Sequence, residues 1–188
     1  MRIISGVAKG KKIKLPVNKK TRPLKDMVRE SIFNIIEHSN LFELGLDKSY
    51  VLDLFSGVGS FGLEAISRGV KKVFFFENYK PASELLKKNL YNLSFTNKAK
   101  ICTGDVYDKK NLTNLNIKFN IVFLDPPFKD EKINLILENL FVLDLLNNKN
   151  LIIIHRHKKS KDNFDDRFQI IREEIYGSSK IIFGLFNF

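Results

Sequence analysis

Acidic residues are missing from the first 25 positions of this 188-residue chain. The same stretch holds nine basic ones: Arg2, Lys9, Lys11, Lys12, Lys14, Lys19, Lys20, Arg22 and Lys25. Beyond it, 23 of the 32 Lys and Arg stand against all 21 Asp and Glu, so +9 of the formal +11 sits in this arm. A uniform drift towards lysine, of the kind AT-rich coding produces, does not give that split. A basic arm on a near-neutral body points to a polyanionic partner, and nucleic acid is the commonest. Cysteine is nearly missing as well. Cys102 alone excludes an internal disulfide and fits a reducing, cytoplasmic setting. No run approaches the ~18 consecutive apolar residues of a membrane span. The opening Met-Arg-Ile-Ile-Ser-Gly lacks the apolar segment of a secretory signal. No internal repeat or low-complexity tract is visible. His155 and His157 have no cysteine beside them and no third ligand, so no metal is expected.

What is present suits one domain with a small appendage: 44% of the residues are hydrophobic, enough for a sizeable core. Arg2–Val7 and Lys11–Pro16 read as two short strands around an Ala8-Lys9-Gly10 turn. Val17–Lys20 is a basic connector. Asp26–His38 is a helix, with Val28, Ile32, Ile35 and Ile36 on one face and Arg29 and Glu30 off that stripe. Leu41–Lys48 is a mixed linker containing Gly45. From Tyr50 the pattern becomes strand–helix alternation. Strands are expected over Tyr50–Leu54, Lys72–Glu77, Ala99–Thr103, Phe119–Leu124 and Leu151–His155. Helices are expected over Ser60–Arg68, Pro81–Leu93 and Lys132–Leu146. Continuous apolar strands separated by helices predict an α/β fold with a mostly parallel sheet covered on both faces. Phe168–Glu174 and Lys180–Phe186 are joined by too few residues for a crossover helix, so they form an antiparallel pair.

The stretch from Val51 to Gly62 carries the first chemical signal. Gly57, Gly59 and Gly62 give the spacing G-x-G-x-x-G between a strand and a helix. Such glycines let the backbone turn tightly and let a nucleotide-like ligand approach closely. Glu77, at the end of the second strand, suits ribose hydroxyls, which a dinucleotide offers as readily as S-adenosylmethionine. Asp53 and Asp105 favour the latter. Asp53 is an acid in an apolar strand, four residues before Gly57, where a carboxylate approaches the amino-acid end of the ligand. Asp105 follows the third strand and accepts from an adenine amino group.

The second signal is Asp125-Pro126-Pro127-Phe128, directly after the apolar fourth strand. The carboxyl ends of parallel strands face the ligand crevice, so this motif shares an edge with the glycine loop. An exocyclic amine conjugated to a base is a poor nucleophile. Two acceptors holding its N–H bonds help it become pyramidal, and the Asp125 carboxylate and the Pro126 carbonyl supply them. Paired prolines stiffen the backbone that presents these acceptors. Phe128 offers a flat face for a base, with stacking worth ~1–3 kcal/mol. Catalysis of this kind works by positioning rather than by acid–base chemistry.

These motifs resemble the bacterial family that methylates the exocyclic N2 of one guanine in small-subunit ribosomal RNA. The resemblance rests on Arg2-Ile3-Ile4-Ser5-Gly6 with Lys9-Gly10-Lys11-Lys12, on Arg22-Pro23 with Val28-Arg29-Glu30-Ser31-Ile32-Phe33-Asn34, on Leu52 to Ala65, and on Asp125-Pro126-Pro127-Phe128. It spans most of the chain to about His155. The glycine loop and the Asp-Pro-Pro-Phe motif occur in many methyltransferases, whereas the amino-terminal segments are narrower and select this family. The resemblance implies a Rossmann-like class I methyltransferase fold with a mostly parallel seven-stranded sheet, a terminal antiparallel hairpin, and an amino-terminal β-hairpin-plus-helix extension. It implies S-adenosylmethionine beside Asp53, Phe55, Gly57, Gly59, Glu77 and Asp105, and Asp125, Pro126 and Phe128 at the target base. It implies RNA on Arg2, Lys9, Lys11, Lys12, Arg22 and Arg29, in the form of small-subunit ribosomal RNA or its assembling particle. Three positions depart from the family pattern: Leu24 replaces a common Thr, Asn78 an acid after Glu77, and His155-Arg156-His157 an acid after the fifth strand.

The expected division is residues 1–40 as a basic RNA-binding extension and 41–188 as the methyltransferase domain. An adenine-N6 methyltransferase would share the Asp-Pro-Pro motif, but no separate target-recognition domain is visible. A nicotinamide-dependent dehydrogenase leaves Asp53 and the Asp125 motif without a task. A non-catalytic RNA-binding protein leaves the intact Asp125–Phe128 motif unexplained.

Overall fold

Side chains of successive strand residues point to opposite faces, and here both faces are apolar, so helices must cover both. A computed structural model describes residues 1–16 and 24–187. Seven strands are present: β1 (Tyr50–Leu54), β2 (Lys72–Phe76), β3 (Ala99–Cys102), β4 (Phe119–Leu124), β5 (Leu146–His157), β6 (Phe168–Tyr176) and β7 (Ser179–Phe186). Their spatial order is β3-β2-β1-β4-β5-β7-β6. The β1, β2, β3, β4 and β5 pairings are parallel, while β7 runs antiparallel to both β5 and β6. This is the seven-stranded class I methyltransferase arrangement expected from the resemblance.

Val51, Val73, Phe75, Ile121, Phe123 and Ile153 point to one face, under α1 (Asp26–His38), α2 (Ser60–Ser67) and α3 (Lys80–Asn92). Leu52, Leu54, Phe76, Val122, Leu124 and Ile154 point to the other, under α4 (Lys109–Thr113) and α5 (Ile133–Val142). On the first face Phe61 of α2 stacks between Phe33 of α1 and Phe123 of β4, with ring centroids 4.9 and 4.1 Å away. Ile3, Ala8 and Ile13 of the arm are buried in this same core. Residues 1–16 and α1 therefore form part of the packed body.

The expected amino-terminal hairpin is present and shorter than its sequence bounds: Arg2 bridges Lys12 in antiparallel fashion, Ile3 donates to the Lys11 carbonyl and Ile13 to the Met1 carbonyl. Other backbone donors of the arm go to α2. The Ile4 and Ser5 amides donate to the Glu64 carboxylate at 2.8 and 2.9 Å. Val7 donates to the Ser67 carbonyl and Ala8 to the Ser67 hydroxyl. A Cβ on Gly6 would sit 1.9 Å from the Ser67 carbonyl oxygen, so only glycine permits this approach. The connector Val17–Lys20 and Arg22 lie outside the described residues.

Three further elements differ from expectation. The α5 helix ends at Val142, because Leu143 closes it and Asp144 takes a left-handed φ of 52°. Strand β5 starts at Leu146, crossing a polar Asn-Asn-Lys-Asn stretch that carries no strand periodicity. Asn150 holds it there by pairing with the Phe186 backbone in both directions, at 2.9 and 3.0 Å. The short α4 presents only one buried apolar residue, Leu112, which hides it from pattern reading. Among the described residues no helix is long and apolar enough to cross a membrane.

Candidate active site

The carboxyl ends of β1, β2, β3 and β4 meet along one edge. Beyond β1 the chain turns sharply: Phe55, Gly57 and Gly59 take φ of 61°, 56° and 84°. A phenylalanine in this region costs about 1–3 kcal/mol and persists only where its surroundings fix it. The Phe55 ring rests against Tyr107, centroids 5.7 Å apart. The three glycines serve different needs. A Cβ on Gly59 would fall 2.4 Å from Leu86, and one on Gly62 2.2 Å from the Phe75 ring, so both are packing requirements. A Cβ on Gly57 would meet nothing within 4 Å. Gly57 is where bare backbone faces open space.

Asp53 is 1% exposed and accepts a hydrogen bond from the Gly62 amide at 3.0 Å. It thereby satisfies one of the free donors at the start of α2. Burial raises its pKa well above the ordinary carboxylate value, and the nearby Asp125 and Glu77 charges push the same way. Its carboxylate braces the start of α2 beneath the glycine loop. Glu77 does the matching work outside the strand. One carboxylate oxygen accepts from the Gly57 amide at 2.6 Å and the other from Tyr79 at 2.7 Å. Asp105 is exposed just past β3 and accepts from the Tyr107 amide at 3.0 Å.

Asp125 continues the β1–β4 pairing by donating its amide to the Leu54 carbonyl, which sets it beside the glycine loop. The following turn is pinned. The Pro127 carbonyl accepts from the Asp130 amide at 2.8 Å. The buried Arg156 guanidinium donates to the Pro127 and Asp130 carbonyls and to Asp162. The Tyr107 hydroxyl bonds Asp130 from the other side, and burial raises the Tyr107 pKa first of all. Arg156 is thus a buried brace of this turn. Pro126 is buried and Phe128 is 40% exposed.

His155, without an assigned task in the sequence, bonds the Asp125-Pro126-Pro127-Phe128 motif directly. Its Nδ1 lies 2.7 Å from Asp125 Oδ1, and its Nε2 lies 2.9 Å from the Ser179 hydroxyl. Phe128 meets the rings of His155 and His157 edge-on, at 5.6 and 5.5 Å. Among the described residues no group of three or more His, Cys, Asp or Glu is arranged to hold a metal ion.

Arg2, Lys9, Lys11 and Lys12 are exposed on the arm. Arg29, expected at the RNA, is instead fully buried. Its guanidinium donates to the Arg2 carbonyl and to Asp26, and stands 3.7 Å from Glu64. Burial lowers its pKa against the opposing pull of Glu64 and Asp26. An arginine with no exposed surface cannot grip a phosphate, so its role is to hold the arm. Asn89 of α3 ties the arm to the loop. It bonds the Lys14 backbone in both directions and donates to the Val58 carbonyl. Nothing in the sequence marks Asn89. Glu64 did carry a signal: an acid inside the apolar run Phe61 to Ile66 needs a buried partner.

Comparison with known proteins agrees with this geometry. The family model described as Conserved hypothetical protein 95 matches residues 1–184. Ribosomal RNA small subunit methyltransferase D of Buchnera aphidicola subsp. Baizongia pistaciae is 35% identical over 156 residues, covering 83% of this chain and 76% of that one. YlbH of Bacillus subtilis is 32% identical over 180 residues, covering 94% of each chain. The solved structure of yhhF from Escherichia coli superposes with a TM-score of 0.83 at 25% identity, covering 100% of this chain and 98% of that one.

Proposed function

Because this chain belongs to the Conserved hypothetical protein 95 family, together with the ribosomal RNA small subunit methyltransferases D, we propose that it methylates small-subunit ribosomal RNA. The donor is S-adenosylmethionine and the acceptor is the exocyclic N2 of one guanine. The observation that carries this reading is the pairing of Asp125 with a half-exposed Phe128, beside the open backbone of Gly57. The substrate is the naked RNA or its assembling particle, and the setting is cytoplasmic.

The residues along the sheet edge fit the donor. Gly57 leaves room for a ligand against bare backbone, and Glu77 and Asp105 place acceptors at the ends of β2 and β3. When bound, S-adenosylmethionine supplies an electrophilic methyl on a sulfonium. The protein's own work is orientation. Among the described residues Asp125 Oδ2 has no hydrogen-bond partner, since Oδ1 is taken by His155. Oδ2 accepts one N–H of the amine and the Pro126 carbonyl accepts the other. The lone pair then leaves the plane of the base and aims at the methyl carbon. Phe128 stacks on the base and keeps water from that face. With the donor bound, Asp125 Oδ2 and the Pro126 carbonyl would hold the amine in line with the methyl group, and the surplus amine proton would leave to water after transfer, so Asp125 orients rather than acts as a base. Calorimetry is expected to show binding of S-adenosylmethionine and none of NADH, and the reverse result overturns the donor assignment. Loss of N2-methylguanosine from one site of ribosomal RNA in cells lacking the protein, read by mass spectrometry, identifies the acceptor. An unchanged nucleoside profile rejects it.

The arm supplies the grip on phosphates, with residues 1–40 as the RNA-facing part and 41–188 as the catalytic part. A cavity of about 520 Å³ beside Phe128 is lined by Lys129, Lys159 and Lys161 together with Asp130, Glu131 and Asp162, so the net positive charge of the interface lies mainly on the arm. Deleting the arm is the wrong test, because Ile3, Ala8 and Ile13 belong to the core. Changing Lys9, Lys11 and Lys12 together to glutamine leaves that packing intact. Each lost phosphate contact lowers the salt slope of binding by about 0.7 for single-stranded RNA, so the triple variant should lose about 2 units. Fluorescence titration across salt concentrations measures it, and an unaltered slope removes these lysines from the interface.

A further inference from the structure

We propose that His155 is the positioning residue of the acceptor motif, fixing both the direction of the Asp125 carboxylate and the seat of the Phe128 ring. This rests on the reading of Asp125 and Phe128 as amine acceptor and stacking face.

The ring is held at both nitrogens. An ionised carboxylate only accepts, so the 2.7 Å contact to Asp125 Oδ1 requires the proton on Nδ1. The Ser179 hydroxyl, 2.9 Å from Nε2, donates to the neutral ring and turns to accept if the ring becomes charged. With both nitrogens engaged and the side chain only 9% exposed, the imidazole has one orientation. The backbone beneath it is equally fixed. Ile154 pairs with Leu124 of β4, His155 with Ile181 of β7, and His157 with Ser179. The imidazole therefore transmits the geometry of three strands to one carboxylate.

Two consequences reach the substrate. A carboxylate turns easily about its last torsion, and both oxygens would compete for the amine if both were free. His155 reserves Oδ1, leaving Oδ2 to face the amine in a set direction. The same ring meets Phe128 edge-on at 5.6 Å and 82°, which stops the exposed phenylalanine from tilting when a base stacks on it. Arg156, the next residue, holds the Pro127 and Asp130 carbonyls. Neighbouring residues of β5 thus control the side-chain and main-chain halves of the motif separately.

His155→Phe keeps the ring volume and removes the donor. Misplacement of a reacting group by about 1 Å costs about 100-fold, so kcat should fall by that order while the Kd of S-adenosylmethionine stays within about two-fold. His155→Asn restores an N–H near the Nδ1 position and should recover about ten-fold of the loss, a rescue that a bulk-packing role does not produce. A kcat of His155→Phe within about two-fold of the parent, or an Asn variant no better than the Phe variant, overturns the proposal. Nitrogen NMR of histidine-labelled protein gives a readout independent of any RNA. The proposal requires a proton on Nδ1 of His155, and a neutral ring protonated at Nε2 alone rejects it. An RNA that accepts no methyl group from the parent protein would instead overturn the assigned reaction, leaving the NMR result to judge His155.

Discussion

Asp125→Ala is expected to abolish methyl transfer, with kcat falling by at least about 10²–10³-fold, the loss seen when one preorganised polar contact to a reacting centre is removed. The substitution takes away the only side-chain acceptor of the motif and strands His155 beside a methyl group. The donor site should survive, since the glycine loop is held by Asp53 and Glu77 through the Gly62 and Gly57 amides. The Kd of S-adenosylmethionine should accordingly stay within a few-fold. Asp125→Asn keeps one carbonyl acceptor but adds donors that clash with the amine protons, so it should lie near the alanine variant. Single-turnover transfer of labelled methyl groups to ribosomal RNA distinguishes these outcomes from loss of binding. A variant as active as the parent removes Asp125 from the mechanism.

The largest expected effect on stability comes from Glu64→Ala. Glu64 is fully buried and accepts from the Ile4 and Ser5 amides and from Arg68 at 2.9 Å, with Arg29 3.7 Å away. Removing the carboxylate leaves a buried guanidinium short of compensation and two arm amides without acceptors. Breaking such a buried pair on one side costs about 3–5 kcal/mol. For a chain of this size that lowers Tm by roughly 6–20 °C. Glu64→Gln keeps the shape and one acceptor and should lose less. Denaturant unfolding measures both, and a loss below about 1 kcal/mol for the alanine variant would mean that the arm is held by its apolar residues alone. Because the arm carries the exposed lysines, Glu64→Ala should also weaken RNA binding without touching any basic side chain.

The parts of this protein that were legible in the sequence share a physical cause. β1 and β4, apolar apart from Asp53 and Asn120, lie in the middle of the sheet, and their bounds follow from burial on both faces. The α1 stripe of Val28, Ile32, Ile35 and Ile36 fixes that helix from end to end. The Asp-Pro-Pro-Phe motif stands out because its residue types are costly anywhere but at a site. The illegible parts depend on contacts distant in sequence. The start of β5 relies on Asn150 reaching Phe186, 36 residues on. The pairing of the arm stays short because Glu64 and Ser67, about 60 residues away, take the amides of Ile4, Ser5 and Ala8. Arg29 lies on α1 where local spacing suggests a surface position, and its burial follows only from the arm folding over it. Ser179 completes the histidine contact from the first position of β7, one residue ahead of the strand expected from the sequence.

The sheet order carries a consequence for biosynthesis. β7 follows β6 in the chain, yet it occupies the interior slot between β5 and β6. Until it emerges from the ribosome, the Ile152–Ile154 edge of β5 has no partner on that side. An open apolar edge of this kind invites pairing with other chains. The first residue of the late strand is Ser179, which bonds the imidazole beside Asp125. A nascent chain that has already made its glycine loop and its Asp-Pro-Pro-Phe turn therefore still lacks an ordered acceptor. On the proposed reading of Asp125, the site is completed only by β7, after the glycine loop and the Asp-Pro-Pro-Phe turn have been translated.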